Sequence, residues 1–127
     1  MTLLERRRIA DAIAQAERGT SGRIAVRLIS DDTVDALDRA KTEFERIGMR
    51  RHEPRNSALI LVAPKARRYA VLGDRALHER VGDAFWNDVV RELQPLFARD
   101  DLAGAIVRGV ERLGSAFQEH FASPEAP

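Results

Sequence analysis

The chain is 127 residues long, 44% hydrophobic and 32% charged, a size and make-up that suit one soluble domain with room for a buried core. Its formal net charge is +1, so no overall basic field points to a nucleic-acid partner. It has no cysteine, which excludes disulfides, zinc–thiolate sites and a cysteine nucleophile.

The opening stretch, MTLLERRRIADAI, is interrupted by charges before an apolar signal core can form. The longest apolar run is ALILVAP, Ala58 to Pro64, far short of the roughly 20 residues that span a bilayer. The expectation is a cytoplasmic chain, at most peripheral to a membrane.

Thr2 to Arg18 reads as a helix. Thr2 and Glu5 have capping-box spacing, Ile9, Ile13 and Ala16 share a face, and Gly19 supplies a stop. Next comes an alternating stretch, Arg23 to Ser30. Ile24, Val26 and Leu28 point one way; Arg23, Ala25 and Arg27 point the other. A second helix follows, capped by Asp31 or Asp32 and ended by Gly48, with Leu37, Ala40, Phe44 and Ile47 at helical spacing.

Met49 to Asn56 is a polar loop. Ser57 to Ala63 is a continuous apolar run, the pattern of a strand covered on both faces. A short turn then leads to a strand over Arg67–Leu72, and the pair predicts an antiparallel hairpin. Arg75 to Val81 predicts a short helix. Ala84 to Ala98 predicts a longer one that Pro95 should bend or end. Leu102 to Phe121 is the last helix, seamed by Leu102, Ile106, Val110, Leu113 and Phe117.

The strand–helix–strand order implies a parallel crossover. The fold expected is a three-layer α/β/α sandwich with a small mixed sheet. One domain spans residues 1–121, and residues 122–127 form a disordered tail.

Two acidic groups stand where chemistry is conceivable. Gly73-Asp74 and Gly82-Asp83 flank His78. The hairpin returns the chain to the end where the second strand began. Arg55, Asn56, Asp74, His78 and Asp83 could therefore share one rim. Oxygen donors there suit calcium or magnesium, His78 would favour a transition metal, and Arg55 could hold an anion. The plainer reading is that Asp74 and Asp83 cap helices.

The second group is Asp31 and Asp32 with Asp100 and Asp101, set at the opposite rim. Four carboxylates would repel there unless solvated or joined by a cation. Each pair also precedes a helix, so capping serves again. Arg23 and Arg27 would form a basic docking face if no helix covers it. No phosphate-binding Gly-rich loop, HExxH helix or nucleophile elbow occurs.

Four stretches, RNSALILVAPKARRYAVLGD, LHERVGDAFW, LQPLFARDDLAGAI and VRGVERLG, resemble the TPM-domain family, also called the TPM phosphatase domain. AIAQAERGTSGRIAVRLI is similar to that family's opening helix and strand. The resemblance covers about Leu4 to Phe121 and is nearest to a short, stand-alone bacterial branch that tends to accompany LemA-family membrane proteins. It implies an α/β/α sandwich and an acidic crevice that binds calcium in some members. It also implies weak acid phosphatase activity in plant thylakoid relatives, and accessory roles at membrane complexes in others. Where many relatives carry a second acidic residue near Asp101, this chain has Ala103.

The expectation is a non-enzymatic protein-interaction module. It requires no cofactor and works with a membrane-associated, LemA-type partner in envelope or stress maintenance. The alternative is a weak acid phosphatase dependent on a divalent metal, calcium or magnesium, held at one of the acidic rims.

Overall fold

The structure, a computed structural model, describes residues 1–32 and 35–123. The chain divides into two compact units. One is Arg23–Arg80; the other joins Met1–Gly22 to Val81–Pro127.

The first unit holds the sheet. Strand β1 is Arg23–Leu28, β2 is Ser57–Ala63 and β3 is Arg68–Gly73, in the order β1-β2-β3. β1 runs parallel to β2, with Ile24 opposite Ala58 and Leu28 opposite Val62. β3 runs antiparallel to β2, with Ala58 opposite Gly73 and Ala63 opposite Arg68. The mixed sheet, its parallel crossover and its hairpin stand as the sequence predicts. β2 is the central strand, and all seven of its residues are buried, which is what an unbroken apolar run serves. β1 is shorter than the alternation suggests, although Ile29 still donates its N–H to the Val62 carbonyl at 2.9 Å.

Helix α2, Ala36–Arg46, packs on one face of this sheet. Ala36, Ala40 and Phe44 meet Leu59, Leu61 and Ala70, with Ala25 and Leu72 at the margin. The helix begins later than the sequence reading places it. Asp35, not Asp31 or Asp32, is its cap, and its carboxylate accepts from the Asp38 N–H at 3.1 Å. Three aspartates precede the helix, and only Asp35 stands three residues before that N–H. Leu37, expected on the buried face, is exposed. After Gly48, Met49–Arg51 forms a single 3₁₀ turn within the polar loop.

The second unit is helical. α1, Leu3–Glu17, opens with the predicted capping box. The Glu5 N–H donates to Thr2 Oγ1 at 3.0 Å and the Thr2 N–H to Glu5 Oε1 at 2.9 Å. α1 packs against α4, Leu102–His120. A Cβ on Gly114 of α4 would lie 2.8 Å from the Ala16 Cβ of α1, so a larger residue there would push the two helices apart. Ile106, Val110, Leu113 and Phe117 are all fully buried, as the seam requires.

Helix α3 spans Arg75–Ala98, but Gly82 breaks it at φ 76 and ψ 173. That backbone is open to glycine and strained for other residues. The two predicted helices are therefore the two arms of α3, and the boundary between the units falls beside the break. Pro95 does not end the second arm. The helix runs on to Ala98, and the Pro95 carbonyl accepts from the Arg99 N–H at 3.2 Å. Proline removes one donor toward the preceding turn but leaves its own carbonyl free to continue the ladder.

The segment expected as a disordered tail begins with paired residues. Thr20 bridges Ala122, and the Ser123 N–H donates to the Gly19 carbonyl at 2.8 Å. Residues 124–127 lie outside the described residues. Among the described residues, no helix is long and apolar enough to cross a membrane.

Candidate functional site

The hairpin register sets Gly73 opposite Ala58, so residues before β2 and residues after β3 meet at one end of the sheet. The Asp74 N–H extends the pairing by donating to the Ser57 carbonyl at 2.8 Å. Arg55 approaches the same point from the loop, with φ at 69°, in the left-handed region that is uncommon for a residue with a side chain. In that conformation its carbonyl accepts the Ala76 N–H at 3.0 Å, satisfying one of the unpaired donors at the start of α3.

The Arg55 side chain closes the arrangement. Nε donates to Asp74 Oδ2 at 2.7 Å and Nη2 to Oδ1 at 2.9 Å. Oδ1 also accepts the Arg75 N–H at 2.8 Å. The Asp74 carbonyl takes the His78 N–H at 3.0 Å, so Asp74 starts the helix as a capping residue does. Its side chain is only 5% exposed and that of Arg55 is 22% exposed. Burial alone would push the Asp74 carboxyl up. The Arg55 hydrogen bonds, the Arg75 N–H and the charges of Arg55 and Arg50 outweigh it and hold the carboxyl below its usual value. The hydrogen bond from the same pair raises Arg55 further.

The remaining candidates of this rim are differently placed. Asn56 is fully buried beside the pair. His78 is exposed on the first arm of α3. Asp83 is exposed and follows the Gly82 break, in the second unit. The sequence reading offered Arg55 to an anion and Asp74 to a cation; in this structure each holds the other.

The second acidic group resolves residue by residue. Asp31 accepts from Arg39 Nη1, and Asp32 is exposed. Asp100 has φ at 58°. Asp101 caps α4, with Oδ1 accepting the Gly104 N–H at 2.9 Å. The fit is close: a Cβ on residue 104 would stand 2.2 Å from Asp101 Oδ2.

A calcium ion takes six to eight oxygen ligands. Among the described residues, no group of three or more His, Asp or Glu side chains is arranged to hold a metal. Asp74 spends both oxygens on Arg55 and Arg75, and Asp101 spends one on its helix.

The Arg23–Arg27 face was expected to serve as a docking surface if bare. It lies on the side of the sheet that α2 packs against, with Ala25 at the margin of the α2 cluster, but Arg23 is exposed and the Arg27 side chain is 42% exposed. Arg27 lies 3.9 Å from Glu43 of α2. Glu43, which sequence reasoning missed, is a buried carboxylate. Arg46 Nη2 donates to it at 2.8 Å, and the Arg46 hydrogen bonds, against the cost of burial, hold its carboxyl low. Its signal was the Arg46 three residues on and the arginines Arg23 and Arg27 on a mixed strand face. Glu92 of α3, half-buried, is likewise paired, with Arg112 Nη1 donating at 2.6 Å and Arg108 beside it.

The chain matches the family described as TPM domain over residues 1–116. It belongs to the TPM-domain family. The solved BA42 protein of the psychrophilic bacterium Bizionia argentinensis is similar to this TPM domain at 31% identity and a TM-score of 0.90, over 98% of this chain and 86% of that one. The N-terminal domain of the cg2496 protein from Corynebacterium glutamicum shares the fold at 20% identity and a TM-score of 0.73, over 92% of this chain and 74% of its own. The N-terminal domain of a P. gingivalis protein does so at 13% identity and a TM-score of 0.78, over 94% and 77%. Among curated proteins, none matches.

Proposed function

We propose that this TPM domain is a non-enzymatic protein-interaction module. In this reading it works in the cytoplasm with a membrane-associated partner of the LemA type, in envelope or stress maintenance. The chain's membership of the TPM-domain family is the starting point, and the module role and the LemA partner follow from the resemblance of its LHERVGDAFW and neighbouring stretches to one branch of that family.

The observation that carries the reading is the closed Arg55–Asp74 pair. Phosphate ester hydrolysis needs a cation held by free carboxylates, or a nucleophile beside a base. Asp74 is the most buried carboxylate at the candidate rim. A guanidinium neutralises it and lowers its pKa, which makes it a weak base and leaves it no proton to give near neutral pH. Turnover at this rim would require the pair to open.

Two measurements test this together. The purified chain is mixed with an aryl phosphate in calcium, magnesium or manganese, and separately co-purified with a LemA-family protein in detergent. We expect no turnover above the rate of the metal alone, and a stoichiometric complex. Turnover that disappears in Asp74→Asn, with no complex formed, would replace the module by the phosphatase.

A further inference from the structure

We infer that the first turn of α1 is a reversible docking element for an anionic lipid surface. The inference does not depend on a protein partner. It rests on one face of one helix.

α1 buries Ile9 and Ala16. On the opposite side Leu3 is 83% exposed and Leu4 78% exposed, the two most exposed large apolar side chains among the described residues. Arg7 and Arg8 follow each leucine by four positions, so each arginine lies above its leucine on the same helix face. Both are exposed, as is Arg6. None of the three forms an ion pair among the described residues. Glu5 is turned back onto Thr2 by the capping box, where the Arg8 charge still acts on it. Asp11, one turn further on, is the carboxylate that shares the leucine–arginine face.

The order of these groups along the axis matches a bilayer interface. Four residues of helix rise about 6 Å. An apolar tip sunk roughly 5–10 Å into the headgroup and acyl boundary would carry Leu3 and Leu4 into the acyl edge. Arg7 and Arg8 would then stand at the level of the phosphates, and Asp11 would stay in water. A protein groove would have to provide a pocket for two side chains protruding from a helix end. A fluid interface accepts them without one. The capping box keeps this turn helical before contact, so little ordering is needed on binding. Two leucines and two or three arginines make a weak anchor, suited to reversible attachment.

The test is flotation of the full chain with vesicles of zwitterionic lipid alone and of the same lipid with about a third anionic lipid, at low and high salt. We expect binding to the anionic vesicles only, weakened by salt. Leu3→Ser with Leu4→Ser, and separately Arg7→Gln with Arg8→Gln, should each weaken it about tenfold or more. Both double variants change exposed side chains, so their melting curves should overlay the wild type and a loss of binding would not reflect unfolding. Wild type that ignores anionic vesicles would overturn the inference. So would salt-sensitive binding that the leucine variant retains in full, which would place attachment on other charges. A concentration-dependent dimer in sedimentation, abolished by the leucine variant in wild type that does not bind vesicles, would give the patch to a second copy of the chain.

Discussion

Asp74 and Asp101 stand at the same kind of place, the first residue before a helix, and are held in opposite ways. Asp101 is exposed and bonds within its own turn, to the Gly104 N–H. Asp74 is buried and is gripped by an arginine 19 positions upstream as well as by its own helix. A local cap exchanges one solvated bond for another, so its loss is cheap. A buried carboxylate has given up water, and its stability rests on a partner contributed by a distant segment. The first kind of contact sets where a helix begins. The second ties a loop, a strand end and a helix start into one piece.

The largest effect should come from stranding the buried charge. Arg55→Met keeps the aliphatic stem and removes the guanidinium. We expect the melting temperature at neutral pH to fall on the order of 10 °C, because Asp74 is left charged, buried and without its partner. A fall of only a degree or two would show that water reaches the carboxylate, and the contrast with Asp101 would collapse.

Asp74→Asn should be milder, because it removes the charge and keeps an acceptor for the Arg75 N–H. A loss of about 1–3 kcal/mol is expected at neutral pH. The pH dependence carries the sharper information. The folded-state pKa of Asp74 is lowered. Its stabilisation is therefore complete above the unfolded value, near 4, and is lost as pH falls through the lower folded value. Urea midpoints of wild type and variant should thus diverge at neutral pH and converge in acid. A gap that stays constant down to pH 2 would mean that the pair does not account for the shift.

These contrasts also mark what the sequence discloses. The β2 run, the hairpin and the Gly82 break are legible because each is a local pattern of apolar periodicity or backbone freedom. So is the Asp101 cap, which needs only an aspartate three residues before a glycine N–H. The rim that gathers Arg55, Asn56 and Asp74 can be placed from strand order alone. What the side chains do there cannot. Whether Arg55 faces solvent or Asp74 depends on a left-handed turn at Arg55 that no glycine announces. The α2 side of β1 is hidden for a similar reason. Alternation shows that its two faces differ, but not that Arg27 comes within 3.9 Å of Glu43 while staying 42% exposed, because that pairing spans two elements. Asp35 cannot be singled out as the α2 cap from the sequence because three aspartates compete within five residues.

The Asp101–Gly104 contact can be removed from either side. Asp101→Ala should cost about 0.5–2 kcal/mol, the ordinary range for losing a cap. Gly104→Ala should act on the same contact, since its Cβ would meet Asp101 Oδ2 at 2.2 Å and drive the carboxylate off. The helix gains up to about 1 kcal/mol from exchanging glycine for alanine, so that variant should be the less damaging. Combined, the two should cost less than their sum, because the contact can be lost only once. Strict additivity in thermal or urea melts would show that the cap contributes little.

The smallest effect should be that of Asp101→Asn. Asparagine caps about as well as aspartate, so the expected change is a few tenths of a kcal/mol. The same small change should be found in chelator and in millimolar calcium. An ion bound to the folded state would raise stability by RT ln(1 + [L]/Kd), and an uncharged amide would forfeit most of that gain. The deciding measurement is therefore four melting curves, wild type and Asp101→Asn, each with chelator and with calcium. We expect all four to superimpose within about a degree. A wild-type curve that rises several degrees in calcium while the variant stays put would make Asp101 a ligand. The α4 cap would then be the responsive site of the molecule, and the buried Arg55–Asp74 pair its fixed counterpart.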